Sequence, residues 1–151
     1  MDIISSLKPR EKWDKIFDKG SGIIVDLGCG YGADAYFLAK KGYKVFAVDK
    51  KDNLRFSHKN LIFLQQDLDK FVEGEFDGVI ANFSLHFLKP EKRIRVVRYY
   101  LDKLRPEGIF YILMFSKFVS EPLLSLFGDE IQLERLKKKI IILHMENTFM
   151  I

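Results

Sequence analysis

An α/β fold, with a doubly wound and mostly parallel sheet of six to seven strands, is predicted by three observations. Short apolar runs of strand length recur at residues 23–25, 45–48, 61–64, 78–81 and 109–115. Helical patterning lies between them, faintly around Phe37 and Leu38 and strongly after Pro90. Three glycines at alternate positions, Gly28, Gly30 and Gly32, follow the first run, as where a strand ends and its backbone meets a ligand.

Ile23, Ile24 and Val25 form a β-branched run suited to a strand buried on both faces. Asp26 then sets a carboxylate beside the loop of Gly28, Cys29, Gly30, Tyr31 and Gly32, whose glycines let a cofactor approach with no Cβ in the way. A helix opening near Ala33 would aim free N–H groups at an anionic part of that ligand. Gly28, Gly30 and Ala33 also fit the G-x-G-x-x-G/A turn of dinucleotide-binding enzymes. Asp26 favours a different ligand, because a carboxylate suits ammonium and sulfonium charges better than a pyrophosphate. The segment DLGCGYG, residues 26–32, resembles motif I of the class I S-adenosylmethionine-dependent methyltransferases, with agreement from about Ile23 to Phe115, roughly two thirds of the chain. The resemblance implies a Rossmann-like sheet, S-adenosylmethionine as cofactor and S-adenosylhomocysteine as product.

The second apolar run ends in Asp49. An acidic residue about twenty positions beyond such glycines accepts hydrogen bonds from ribose hydroxyls, a feature shared with NAD enzymes. A solvated turn through Asp49, Lys50, Lys51 and Asp52 is the alternative, and Lys50 joins Asp49 as a cofactor-binding candidate. The third run, LIFLQQDL, again meets a carboxylate. In the family it resembles, an acidic residue here reaches the adenine amino group and the next backbone amide meets the ring; Asp67 and Leu68 match that pair. Asp67 also suits the N-cap of a short helix ending near Glu73.

The fourth run leaves through Asn82, Phe83, Ser84, Leu85, His86 and Phe87. It resembles the family segment whose end faces the methyl group, which makes Asn82 a cofactor-binding candidate and Phe83, His86 and Tyr31 substrate-facing ones. Methyltransferases acting on amino groups of DNA bases carry two prolines after this asparagine; their absence argues against base methylation. His86 could orient a substrate, take a proton, or simply pack beside the cofactor. After Pro90 an amphipathic helix carries Ile94, Val97, Leu101 and Leu104 on its apolar stripe, with Lys92, Arg93, Arg95 and Lys103 mostly elsewhere. It stops at LRPEG, which resembles the LKPGG turn before the family's fifth strand.

At 151 residues and 48% hydrophobic content, one sizeable core is expected and two ordinary domains are not. No apolar run reaches membrane-spanning length and no signal-peptide pattern opens the chain, so a cytoplasmic protein without membrane contact is expected. The lone Cys29 has no disulfide partner and reads as a small loop residue touching the ligand. No metal ligands are assigned. A net charge of +4 is spread over faces that also carry acids, which favours solvated surface over nucleic-acid binding.

Two departures from the family pattern stand out. Only eleven residues, 50–60, separate Asp49 from Leu61, so the helix expected there has a turn or two at most. After Phe115 there remain thirty-six residues for a substrate loop at 116–122, a helix near 129–139 and a strand at 140–145. The closing hairpin of a seven-stranded sheet has almost no chain left, which leaves six strands or a shortened edge that a second copy or a larger partner would cover. Residues 8–17, with Trp13 and Phe17, form either a lid or ordinary packing. The function implied is methyl transfer to a small-molecule or protein acceptor by in-line displacement, which needs positioning and no obligatory protein base. The rivals are an NAD-linked oxidoreductase and a non-catalytic methyltransferase-like partner subunit.

Overall fold

The computed structural model describes residues 9–127 and 138–145. Strand β1 (Ile23–Leu27) is central, with β2 (Lys44–Asp49) and then β3 (Leu61–Gln65) on one side, and β4 (Phe76–Asn82), β5 (Leu104–Phe115) and β6 (Lys139–Met145) on the other. Every neighbouring pair is parallel, giving the order β3-β2-β1-β4-β5-β6. Because side chains alternate across a strand, β1 feeds two cores. Ile24 packs in a cluster with Trp13 and Phe17, which belong to or follow α1 (Pro9–Ile16), and with Ala35, Leu38 and Ala39 of α2 (Ala33–Lys40). Val25 and Leu27 enter the opposite cluster with Val96, Val97 and Tyr100 of α3 (Pro90–Lys103) and Leu123 of α4 (Glu121–Leu124). Helices on both faces explain why the strands read as nearly continuous apolar runs.

The crossovers are leaner than expected. Residues 50–60 contain no helix, not even the short one anticipated, and run as a strap over the glycine loop. The Arg55 N–H donates to Tyr31 O at 2.9 Å, and the Phe56 ring stacks on Tyr36 with centroids 4.8 Å apart. These contacts replace the packing a helix would have supplied. Residues 66–75 are also irregular, so Asp67 caps no helix; its carbonyl accepts the Lys70 N–H at 3.1 Å and closes a turn. That segment is clamped to α3 by aromatics instead. Phe71 stacks on Tyr99 at 4.2 Å, Val72 N–H donates to Tyr100 Oη at 3.0 Å, and Tyr99 Oη donates to Val72 O at 2.9 Å.

At the far edge β6 pairs directly and in parallel with β5, so among the described residues the sheet has six strands and no closing hairpin. Most of the helix anticipated near 129–139, and the residues beyond 145, lie outside the described residues. Trp13 is fully buried and Phe17 nearly so, which is packing against the sheet. No helix among the described residues is long and apolar enough to cross a membrane.

Helix α3 departs from the stripe read in the sequence. Its buried positions are Arg93, Val96, Val97 and Tyr100, while Ile94 and Leu101 are half-buried. Arg93, assigned to the outer face, is therefore an inner residue. The LRPEG segment lies inside β5 rather than before it: Leu104 pairs with Phe76 and Ile109 with Gly78, and the intervening residues form an irregularity in the register. Glu107 there holds φ at +69°, a left-handed conformation that favours glycine, the residue of the LKPGG pattern. Its ion pair to Lys19 at 3.2 Å joins two exposed side chains and offsets little. Glu107→Gly is expected to stabilise the fold by about 0.5–1 kcal/mol, once glycine's entropy is set against the relieved strain. Thermal unfolding should show a Tm rise of roughly 1–4 °C. Glu107→Ala, which loses the same ion pair but keeps the left-handed backbone, should show no gain.

Candidate active site

The chain winds from β1 outward to β2 and β3, then crosses back to β4 on β1's other side. In such sheets the crevice at the carboxyl ends of the two diverging strands is where ligands bind. Here β1 and β4 flank it, and the glycine loop closes one wall. Gly28 and Cys29 N–H groups both donate to Val48 O, at 2.8 and 2.9 Å, and the Gly30 N–H donates to Asp49 Oδ2 at 2.8 Å. The loop is thereby tied to the end of β2. Gly28 must be glycine because a Cβ would stand 2.4 Å from Ser84 Cβ in the loop after β4. Gly30, with φ +56°, is different: a Cβ there would meet nothing within 4 Å and would project into open space. That is a cradle a side chain would fill.

Alternation places Asp26, Asp49 and Asn82 at the ends of β1, β2 and β4 on the face that packs α1 and α2. Asp34, in the first turn of α2, joins them. Its Oδ1 accepts Trp13 Nε1–H at 2.7 Å and its Oδ2 accepts Asn82 Nδ2–H at 3.2 Å. Asp26 is 2% exposed and its Oδ2 has no hydrogen-bond partner. Burial holds the Asp26 carboxyl well above the ordinary carboxylate range, and the charges of Asp34 and Asp49 push it further up. Lys12 does not neutralise the group; its ammonium lies against the Trp13 and Tyr111 rings and donates to Tyr111 Oη at 3.3 Å. Burial lowers the Lys12 pKa while Asp34 raises it. The Cys29 thiol is pushed up to about 12 by burial and then by Asp26 and Asp49, so it stays protonated and is no nucleophile at neutral pH.

Four buried side-chain atoms among the described residues lack a partner: Asp26 Oδ2, Asn82 Oδ1, Ser84 Oγ and His86 Nδ1. Asp26 and Asn82 lie near the ends of β1 and β4, and Ser84 and His86 in the turn that follows β4. Buried polar atoms are ordinarily satisfied, so their concentration at one crevice marks where a ligand's polar groups belong. Beyond Asn82, Phe83 adopts φ +56° and begins an open groove of about 500 Å³ shared with His86, Phe87, Phe115, Lys117 and Phe118. The His86 pKa is lowered by burial, then by Arg93 and Lys117, so the imidazole is neutral at neutral pH.

The remaining sequence candidates sit at the rim. Lys50 Nζ and Asp67 Oδ1 are 3.9 Å apart and both side chains are exposed. Leu68 is half-buried and packs against the α3-side core. Tyr31 is 54% exposed, with the Arg55 guanidinium 3.9 Å from its ring centroid. Sequence reasoning missed Asp34 and Arg93, and covered Ser84 and Phe118 only as parts of the segments 82–87 and 116–122. The spacing of Arg93 to Val96, Val97 and Tyr100 carries a helical stripe that would have revealed it; within 116–122 no periodicity singles out Phe118.

The methyltransferase-domain family model matches residues 25–112, from β1 through β5 and more than half of the chain. The protein belongs to the class I S-adenosylmethionine-dependent methyltransferase family. This methyltransferase domain is 32% identical over 131 residues to YqeM of Bacillus subtilis, a provisionally named methyltransferase, covering 78% of this chain and 53% of that one. It is 27% identical over 120 residues to a carboxy-S-adenosyl-L-methionine synthase of Campylobacter jejuni, covering 70% and 51%. The chain thus spans about half the length of the curated relatives it matches. Among solved structures, the 1,6-didemethyltoxoflavin-N1-methyltransferase of Burkholderia thailandensis aligns with a TM-score of 0.58 at 21% identity, over 72% of this chain and 53% of that one. It was crystallised with its acceptor and S-adenosylhomocysteine. The N-methyltransferase NodS of Bradyrhizobium japonicum, also with S-adenosylhomocysteine, aligns at 0.57 and 17% identity, over 71% and 60%. The family's cofactor is S-adenosylmethionine, and the open space at Gly30 and the unpartnered Asp26 Oδ2 fit it.

Because the folded-state pKa of Asp26 is raised, the ligand-free fold binds a proton more tightly than the unfolded chain does. That stability is fully present below the ordinary aspartate pKa and is lost as pH rises through the raised one. Asp26→Asn is therefore expected to stabilise the ligand-free methyltransferase at neutral pH, by about 1–3 kcal/mol. Its Tm should also fall less than wild type between pH 5 and 8. A lower Tm for the variant at pH 7.5 would show that the Asp26 charge is compensated.

Proposed function

We propose that this protein is an active methyltransferase whose glycine loop, with Asp26, Asp49 and Asn82, holds S-adenosylmethionine, and whose groove after Asn82 takes a small-molecule acceptor. The cofactor supplies a methyl group already activated by its sulfonium. The observation that carries the reading is the unpartnered, buried Asp26 carboxylate at a glycine cradle beside Asp34 and Asp49. Three carboxyl groups with Lys12 coupled only to Asp34 leave an excess of negative charge, which favours a ligand that brings positive charge and disfavours the pyrophosphate of a dinucleotide. The Gly30 loop would receive the cofactor's amino-acid end with Asp26, Asp49 would accept from the ribose hydroxyls, and Lys50, Asp67 and the Leu68 amide would border the adenine. Asn82 Oδ1 and Ser84 Oγ have hydrogen-bonding capacity to spare toward the crevice. His86 rests among phenylalanine rings and burial lowers its affinity for a proton, which supports a role in orienting an acceptor over relaying protons.

A small molecule as acceptor is supported by the groove's volume of about 500 Å³ and by the toxoflavin-precursor enzyme that shares the fold. A cytoplasmic location belongs to the same proposal, as does a second copy or larger partner along β6, whose outer side is unpaired among the described residues.

Isothermal calorimetry with S-adenosylhomocysteine and with NADH tests the cofactor assignment, the first expected to bind and the second not. Gly30→Val should abolish binding, since the added carbons occupy the cradle, and its stability should fall only by the cost of one left-handed residue, about 1–2 kcal/mol. Asp49→Ala should weaken binding by about 1–3 kcal/mol. Normal affinity in Gly30→Val would remove the glycine loop from the site; binding without turnover on any acceptor would favour the partner-subunit reading.

A further inference from the structure

The groove that follows Asn82 is built almost wholly of flat rings. His86 lies at its centre, with ring centroids 4.3 Å from Phe87, 5.3 Å from Phe115, 5.4 Å from Phe118 and 6.3 Å from Phe83. The Phe118 ring is nearly parallel to the imidazole, at 23°. Phe87 is 82% exposed, an unusual state for so large an apolar side chain. Two polar features interrupt this surface. His86 Nδ1 is buried with no hydrogen-bond partner, and the exposed Lys117 ammonium stands 5.0 Å from the Phe118 centroid.

The groove is also rigidly framed. Arg93 is 5% exposed and its guanidinium pairs with no carboxylate among the described residues. Nε donates to Leu85 O at 3.0 Å, Nη2 to Leu88 O at 3.0 Å and Nη1 to Phe118 O at 3.2 Å. One planar fork thus fixes both the turn that carries His86 and the turn that carries Phe118, setting the ring spacing before any ligand arrives.

Resting on the methyltransferase reading, we propose that the acceptor is a small planar aromatic hydroxy acid, its ring among Phe83, Phe115 and Phe118, its hydroxyl at His86 Nδ1 and its carboxylate toward Lys117. A flat ring matches the aromatic walls where offset and edge contacts are favourable. In the neutral imidazole's Nδ1–H tautomer that nitrogen donates to the hydroxyl oxygen, leaving the O–H free toward the mouth, and the carboxylate complements the groove's exposed cation. Transfer to the hydroxyl oxygen forms a carbon–oxygen bond as the methyl's bond to sulfur breaks. The sulfur keeps that electron pair and becomes a neutral thioether, and the hydroxyl proton leaves to water at the open mouth.

The test is a fluorescence titration with 1-hydroxy-2-naphthoate, run with and without saturating S-adenosylhomocysteine, with 1-naphthol and cyclohexanecarboxylate as comparison ligands. Saturable naphthoate binding is expected, and cyclohexanecarboxylate should not displace it. Phe118→Leu, which keeps an apolar side chain but loses the ring, should weaken binding at least about fivefold. Lys117→Ala should weaken naphthoate by a similar factor and leave 1-naphthol within about twofold. Displacement by cyclohexanecarboxylate, an unchanged Phe118→Leu, or equal losses for both naphthyl ligands in Lys117→Ala would overturn the proposal. So would no naphthoate binding where calorimetry shows S-adenosylhomocysteine bound. Failure of S-adenosylhomocysteine to bind would instead sink the cofactor assignment, and the titration without it would still decide the groove.

Discussion

The burial of Asp26 at the end of β1 is the constraint on which the rest of this molecule turns. Strand β1 must lie at the centre of the sheet for its apolar residues to be covered on both faces, and that position carries its terminal carboxylate out of water. Nothing among the described residues neutralises it. Lys12, the nearby cation on α1, is committed to the Trp13 and Tyr111 rings, and Asp34 and Asp49 add charge of the wrong sign. A fold selected for stability alone would place an apolar residue there. On the reading proposed above, a cationic ligand would complete the site, and the cost in the ligand-free state and the selectivity for the ligand would come from one interaction.

How a chain this short supports that arrangement is visible in its crossovers. The two connections on the β3 side dispense with helices and fasten to the domain through rings: Phe56 on Tyr36, and Phe71 on Tyr99 with both tyrosine hydroxyls reaching Val72. Aromatic side chains bury much area for few ordered residues, which suits loops that cannot form a core of their own. The strap over residues 50–60 has a second effect. By holding Tyr31 and covering Gly32 it fixes the outer wall of the glycine loop, so the loop's shape is set from two sides, by β2 within and by the strap without.

The sheet and half of the candidate site were legible because they obey local rules. Parallel strands buried on both faces declare themselves as apolar runs, and the residues that end them, Asp26, Asp49 and Asn82, fall on one face by simple alternation. Helices in the crossovers were less legible, since an eleven-residue connection fits a short helix or a strap equally well and only the contacts of Phe56 and Arg55 decide. Asp34 escaped notice because an acid in a first helical turn is ordinary; its partnership with Trp13 and Asn82 joins residues far apart in sequence. Arg93 was misread for a related reason. A basic residue on an amphipathic helix is taken as outward-facing, and the carbonyls that draw it inward come from loops whose path no periodicity encodes.

Arg93 and Asp26 are opposite solutions to burying a charge in one small domain. Arg93 is satisfied within the chain by three carbonyls, so its charge does structural work continuously and leaves nothing for a ligand to add. Asp26 is left wanting, so its charge is expressed only when a partner arrives. The division matches the two halves of the proposed site: the groove after Asn82 is fixed in advance by a buried cation, while the glycine cradle carries a buried carboxyl oxygen without a partner. In-line methyl transfer demands that the acceptor atom be held at a fixed distance from the reacting carbon. Rigidity therefore belongs on the acceptor side, and the stored electrostatic need belongs where the positive charge enters.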